Sequence, residues 1–159
     1  INSYRGACVT EISVREVRDL YQVRSALVCI RARWIAEDSE RADILREAES
    51  PVARLVGLAD SDANAFVEES FVVNNLLTES LTNHWLRSII EALTLQTSRY
   101  SRLALLASVE RRRESALLWQ TLLQAMAAGD GDLAEKTAQV LSLTARDAAI
   151  KYLAENEAP

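Results

Sequence analysis

Residues 64–81, NAFVEESFVVNNLLTESL, carry the pattern on which the fold class turns. Phe66, Val73, Leu77 and Leu81 recur at intervals of seven and four residues, the period of one helix face. Ser70 and Asn74 fall on or beside that stripe, one turn apart. Burying a hydroxyl or an amide unpaired costs roughly 1–3 kcal/mol. Either a neighbour satisfies them, or they line a hole that something polar fills.

Working outward, the rest of the chain also reads as helix. Ser13 opens a first helix, with Glu16 in capping-box spacing, that runs to about Ile35. Asp38 and Ser39 are placed to cap a second, SERADILREAES, which Pro51 is expected to end. A short apolar piece, VARLVGL, follows. Asp60, Ser61 and Asp62 can cap the helix that holds Ser70 and Asn74, and Thr82 and Asn83 break the chain after Leu81. Long helices are then expected from His84 to about Ala107 and over about 109–127. The stretch AAGDGD, with Asp132 and Glu135 again spaced as a capping box, leads into a last helix from Leu133 to about Ala154. The expected fold class is all-α: an antiparallel bundle of about six or seven helices around an internal ligand cavity.

Composition agrees. The 159 residues are 49% hydrophobic and 26% charged, with four Gly and two Pro, enough for one domain with a real core and few breaks. The net charge of −5 argues against direct nucleic-acid binding. The one dense basic run, Arg111–Arg113, is flanked by Glu110 and Glu114 and reads as a solvated helix face. One His and two Cys, with no CxxC, supply no zinc site of the usual kind. The thiols suggest a reducing compartment, with Cys29 in the core. No apolar run reaches membrane-spanning length. No nucleophile–base pair is visible either, and His84 sits at a helix start, so an enzyme is not expected.

Polar residues interrupt other stripes too. In the first helix Arg24 and Arg31 share a face with Val17, Leu20, Leu27 and Ile35. Two arginines there either hold an anion inside or reach the edge of the bundle or an internal carboxylate. Gln96 and Arg99 interrupt a stripe of Trp85, Ile89, Ala92, Leu103 and Leu106, as cavity or rim positions. Trp119 lies with Leu122, Leu123 and Met126, as core or as a ligand's wall. In the last helix Thr137 and Thr144 join Leu133, Val140, Leu141 and Ala148. Interruptions on several helices of one bundle are what the walls of an internal site look like.

Three segments resemble a known family. RGACVTEISVREVRDLYQVRSAL (5–27) resembles the junction in FadR-type regulators of the GntR family, where a wing strand leads into a helix marked LY-x-VR. LLTESLTNHWL (76–86) resembles that family's helix break, and LLQAMAAGDGDLAEKTAQ (122–139) its turn into the final helix. The resemblance implies a C-terminal effector-binding and dimerisation domain over 13–159, with residues 1–12 the remnant of a winged-helix DNA-binding domain. Many members hold a metal through an Asp and three His. Those positions fall here on Ser70, Asn74, Trp119 and Leu141, so a metal-less member without cofactor is expected. The arginine of LY-x-VR, which faces the cavity in the family, is Arg24.

The expected function is ligand sensing and dimerisation in a cytoplasmic bacterial transcription regulator. A small anionic effector, such as an organic acid, would meet Arg24, Arg31, Ser70, Asn74, Gln96, Arg99, Trp119 and Leu141. The partners are then a second copy of the chain and, through the N-terminal domain alone, operator DNA; no membrane is involved. The alternative is a structural dimerisation module with no ligand.

Overall fold

The computed structural model describes residues 13–156. The expected wing-strand remnant, with Cys8, lies outside them. Six helices and no strand make up the described residues: α1 (Val14–Glu37), α2 (Arg41–Ser61), α3 (Ala63–Glu79), α4 (His84–Ala107), α5 (Val109–Ala127) and α6 (Gly131–Asn156). The molecule is an all-α bundle. None of these helices is long and apolar enough to cross a membrane.

α1 lies along α6 in the most extensive packing of the fold, and α2 packs on α3 and α5. The α1–α6 pair is antiparallel. Val17 and Tyr21, early in α1, cluster with Ala149 and Leu153, late in α6. At the other end Arg33 binds Asp132 and Glu135. The main core runs through α1, α2, α3, α5 and α6 around Ile35, Leu55, Phe66, Leu77, Leu122 and Met126.

Most starts are capped as their residues dictate. Ser13 accepts from the Glu16 amide at 3.2 Å, Asp62 from Ala65 at 2.9 Å and Asn83 from Leu86 at 3.0 Å, each satisfying an orphan donor of the first turn. Two expectations fail. Glu40, not Asp38 or Ser39, is the N-cap of α2, and its side chain makes no cap bond. Asp130, not Asp132, accepts from the Leu133 amide, at 2.9 Å. Asp132 and Glu135 point instead to Arg33, because a cation across the helix pair competes for them.

Pro51 does not end a helix; α2 continues through it to Ser61. Leu45, Ala48, Val52, Leu55 and Ala59 form one buried register across the proline. An interior proline costs about 3 kcal/mol, but burying a Val and a Leu beyond it returns roughly 1.5–3 kcal/mol each.

α4 turns a different face inward from the one expected. Trp85 is 70% exposed and Ile89 46%, while Leu86, Ile90, Thr97, Tyr100, Ala104 and Leu105 are buried. The doublets Trp85–Leu86 and Ile89–Ile90 offer two apolar faces about 100° apart. Leu86 and Ile90 win because they meet Val28 and Leu81 in a small core of their own. In α6, likewise, Leu133 and Val140 are exposed, and small residues such as Ala134, Thr137, Ala138 and Ser142 are buried. Small side chains let α6 approach α1 closely.

Nor is the basic run a solvated face. Arg111 and Arg112 are each 8% exposed. Arg112 donates to the Ala59 and Leu105 carbonyls at 2.8 Å each, so one guanidinium satisfies carbonyls near the ends of α2 and α4. Only Arg113 is solvated, paired with Asp60 at 2.6 Å.

Candidate functional site

The face of α1 that turns inward is Val17, Tyr21, Arg24, Val28, Arg31 and Ile35, a strict three–four alternation with Arg24 half-buried and the others buried or nearly so. It meets α3, α4, α5 and α6 around a cavity of about 80 Å³. Six of the eight residues singled out from the sequence line it: Arg24, Arg31, Ser70, Asn74, Trp119 and Leu141. Ser70, Asn74, Trp119 and Leu141, the four positions that the sequence resemblance assigns to metal ligands, thus share one chamber. Gln96 and Arg99 do not reach it. Both are exposed on the outer face of α4, a consequence of the helix's phase.

Asn74 is the hub. Arg31 Nη1 donates to its backbone carbonyl and to its Oδ1, at 3.1 Å each, and to Thr78 Oγ1 at 2.6 Å. Thr78 in turn donates to the Asn74 carbonyl at 2.8 Å. Arg24 Nη2 reaches the same Oδ1 at 3.4 Å and its guanidinium lies 5.9 Å from the Tyr21 ring centre. Ser70 bonds back to the Val67 carbonyl at 2.8 Å. The polar pair inside the α3 stripe is thus only partly satisfied by neighbours. Asn74 Nδ2, Arg24 Nε, Arg31 Nε and Ser142 Oγ are buried with no partner among the described residues.

Charge in the cavity has one sign. Arg111 joins Arg24 and Arg31 in the wall, and no Asp or Glu does. Burial pushes the Arg24 pKa down, an effect Tyr21 partly offsets. Burial first, and Arg24 second, push Arg31 down to about 9. Arg111 is lowered by burial and supported by Glu114, 3.1 Å from Nη1. Holding Arg24 and Arg31 in a largely apolar interior with no carboxylate partner costs several kcal/mol per ion. An anion that entered would remove that cost and would satisfy orphaned donors at the same time.

Sequence reasoning missed Arg111, Ser115 and Ser142. Arg111 was hidden by its charged neighbours, which read as a solvated face. Serines carry no face preference, so nothing in the pattern could have marked Ser115 or Ser142. The apolar walls, Leu105, Trp119, Leu122 and Leu141, close the sides. Such a chamber suits a small molecule with an acidic group and a little apolar surface.

No curated protein matches the chain. The FCD domain model matches residues 19–141, which takes in the cavity-lining arginines of α1 and α5, and FCD domains belong to transcription regulators rather than enzymes. With a helical bundle built around an arginine-lined chamber and a family match over most of its length, the chain belongs to the FCD domain family, the C-terminal effector-binding domain of GntR/FadR-type regulators.

Proposed function

We propose that the chamber binds a small anionic organic effector directly, without a metal, and that its occupancy alters operator binding by the regulator's DNA-binding domain. The observation that carries this reading is the set of three guanidiniums lining one cavity, two of which, Arg24 and Arg31, have no carboxylate partner. Arg24 anchors the acid. Its Nε lacks a partner and its Nη2 makes only a long bond to Asn74, whereas Arg31 is held in place by three bonds from Nη1 to Asn74 and Thr78. Ser70, Asn74, Trp119 and Leu141, which the resemblance assigns to metal-ligand positions, offer a metal no imidazole or carboxylate. A ligand shifts DNA affinity only through different affinities for the competent and incompetent states.

The active assembly in this reading is a cytoplasmic homodimer. Val23, Ile30 and Trp34 form an exposed apolar stripe on α1, and Trp85 and Ile89 another on α4. Leu27 packs against the Leu86–Ile90 cluster, so the two stripes adjoin. An aromatic-rich apolar patch of this kind suits a two-fold contact with a second copy.

The test is thermal unfolding of the wild type and Arg24→Ala with a panel of organic acids. The wild type is expected to gain stability with at least one acid. Arg24→Ala is expected to keep its helix content and lose about 2–5 kcal/mol of binding, and Arg24→Lys to restore little, since a point charge lacks the bidentate fork. A variant that kept the full ligand-induced shift would exclude Arg24 as the anchor. A wild type indifferent to every anion would favour the purely structural alternative.

A further inference from the structure

The chamber has a neighbour. A groove of about 430 Å³ lies between α3 and α4, lined by Asn75, Thr78 and Glu79 of one helix and Thr94, Leu95 and Ser98 of the other. Asn75, Glu79 and Leu95 are exposed, so the groove meets solvent. Phe71 lines this groove and the chamber alike. Its side chain is half-buried and packs against the main core. One aromatic ring therefore belongs to the wall of both spaces.

The order of residues along the two helices explains this. Ser70 and Asn74 face the chamber from α3. Phe71 follows Ser70 by one residue, about 100° around the helix, and reaches the groove as well. On α4, Ser101 lines the chamber while Ser98 and Arg102 line the groove. The boundary between the two spaces thus passes along the α3–α4 seam at Phe71.

The ring is held lightly. The Arg102 guanidinium lies 5.9 Å from its centre and donates to Glu68 at 2.6 Å, which straps α4 to α3 beside the aromatic. Arg102 and Glu68 are 41% and 65% exposed, and pairs so exposed contribute little. A bond across the same seam, from Arg87 to the Glu79 carbonyl, is 3.5 Å long. Elsewhere α4 is fixed more firmly. Leu86 and Ile90 pack with Val28 and Leu81 near its start, and Ser101 and the Leu105 carbonyl are bonded by Tyr21 and Arg112 near its end. Thr94 Oγ1, on the stretch between, is buried with no partner among the described residues. A hydroxyl left unpaired disfavours the closed seam.

We propose that Phe71 is a gate: the α3–α4 seam is the route into the chamber, and the ring swings into the groove, past the Arg102–Glu68 strap, to admit a ligand and then closes behind it. The groove has room for the ring that the chamber, at about 80 Å³, does not. Ser70 and Asn74 are then the first polar groups met inside, and Arg24 and Arg31, both bonded to Asn74, the first cations. This route rests on the reading of the chamber as a ligand site, but it is measurable without the effector.

The chain has three tryptophans. Trp34 and Trp85 are 44% and 70% exposed, whereas Trp119, in the chamber wall, is 7% exposed. In a Trp34→Phe, Trp85→Phe background, quenching of Trp119 fluorescence by acrylamide reads entry. Phe71→Ala is expected to raise the collisional quenching constant about fivefold or more, and Arg102→Gln, a surface change that spares the core, about two- to fivefold. Ser98→Tyr, which fills the space the ring needs, is expected to lower it. Leu122→Ala enlarges the chamber from a residue 1% exposed and is expected to change it by less than about twofold. Iodide examines the charge separately: with Phe71 removed it should gain more than acrylamide, and Arg24→Gln should abolish the excess. If neither Phe71→Ala nor Arg102→Gln admits acrylamide, or if Leu122→Ala admits as much as Phe71→Ala, the gate is overturned while anion sensing stands. If both variants admit acrylamide but iodide gains no more, the gate stands and the anion-sensing reading falls.

Discussion

Arg31 and Asn74 are joined through both oxygens of the asparagine, at 3.1 Å each, while the asparagine's own amide is left without a partner. A buried cation is thus oriented by a neutral group that does not neutralise it. Asn74→Asp would supply the missing charge at nearly the same volume. The variant is expected to be more stable than the wild type without ligand, by about 1–3 kcal/mol, and to bind an anionic effector at least tenfold more weakly, since the new carboxylate occupies the cation. Urea unfolding and calorimetry together check this. Equal effector affinity in the two proteins would show that Arg31 takes no part in recognition.

Arg112 makes a contrasting forecast. It touches carbonyls, not the cavity, and its two short bonds lie near the ends of α2 and α4. Arg112→Ala leaves those acceptors buried, and charge-assisted bonds contribute roughly 1.5–3 kcal/mol each. The expected loss is about 2–5 kcal/mol of unfolding free energy, seen as a lower urea midpoint with an unchanged slope. The effector affinity of the fraction that remains folded should match the wild type. A variant as stable as the wild type would mean that water replaces the guanidinium without cost.

The dependence on pH follows from the groups in the wall. The wall holds no His, Cys, Asp or Glu, so it contains no group whose ordinary pKa lies between about 6 and 9. Affinity for a fully ionised effector should be flat over that range. Burial and Arg24 push Arg31 down to about 9, and a bound anion would raise it. Above that pH binding must recover a proton, so affinity should fall by up to about tenfold per pH unit. Calorimetry from about pH 6 to 10 measures it. A slope near neutrality would point to a titrating group that the cavity does not contain.

The homodimer reading is tested at Trp85 and Ile89, whose side chains pack little within the chain. Buried aromatic anchors at interfaces often contribute 2 kcal/mol or more. The double variant Trp85→Glu, Ile89→Lys is expected to run as a monomer in light scattering at micromolar concentration, with unchanged helix content. A variant that stays dimeric removes this face from the interface.

How far the sequence could be read depended on how many faces each helix offered. On α3 the stripe from Phe66 to Leu81 had one phase, and it packs as expected. On α1 the seven-residue spacing of Arg24 and Arg31 kept both on the inward face whichever neighbours flanked them. On α4 adjacent apolar residues offered two phases. The outer one looked better because Trp85 and Ile89 are large, and it drew Gln96 and Arg99 wrongly into the site. Which phase wins depends on Val28 and Leu81, contributed by other segments. Pro51 was misread for a similar reason: local propensity forbade what the packing of Val52 and Leu55 outweighed. Arg111 and Arg112 were lost because a run of like charges has the same signature whether it meets water or the carbonyls of another helix.

The cavity's cations also set how a ligand arrives. The chain's formal charge of −5 includes the three guanidiniums of the chamber, so all the rest of the molecule carries −8. An anion drawn to the interior must first approach a surface that repels it, the reverse of electrostatic steering. Added salt shortens the reach of that repulsion, to about 8 Å at physiological ionic strength, while the enclosed arginines are screened far less. Ionic strength therefore acts as a throttle on traffic more than on occupancy: association should quicken as salt rises, and the equilibrium should move much less than the rate.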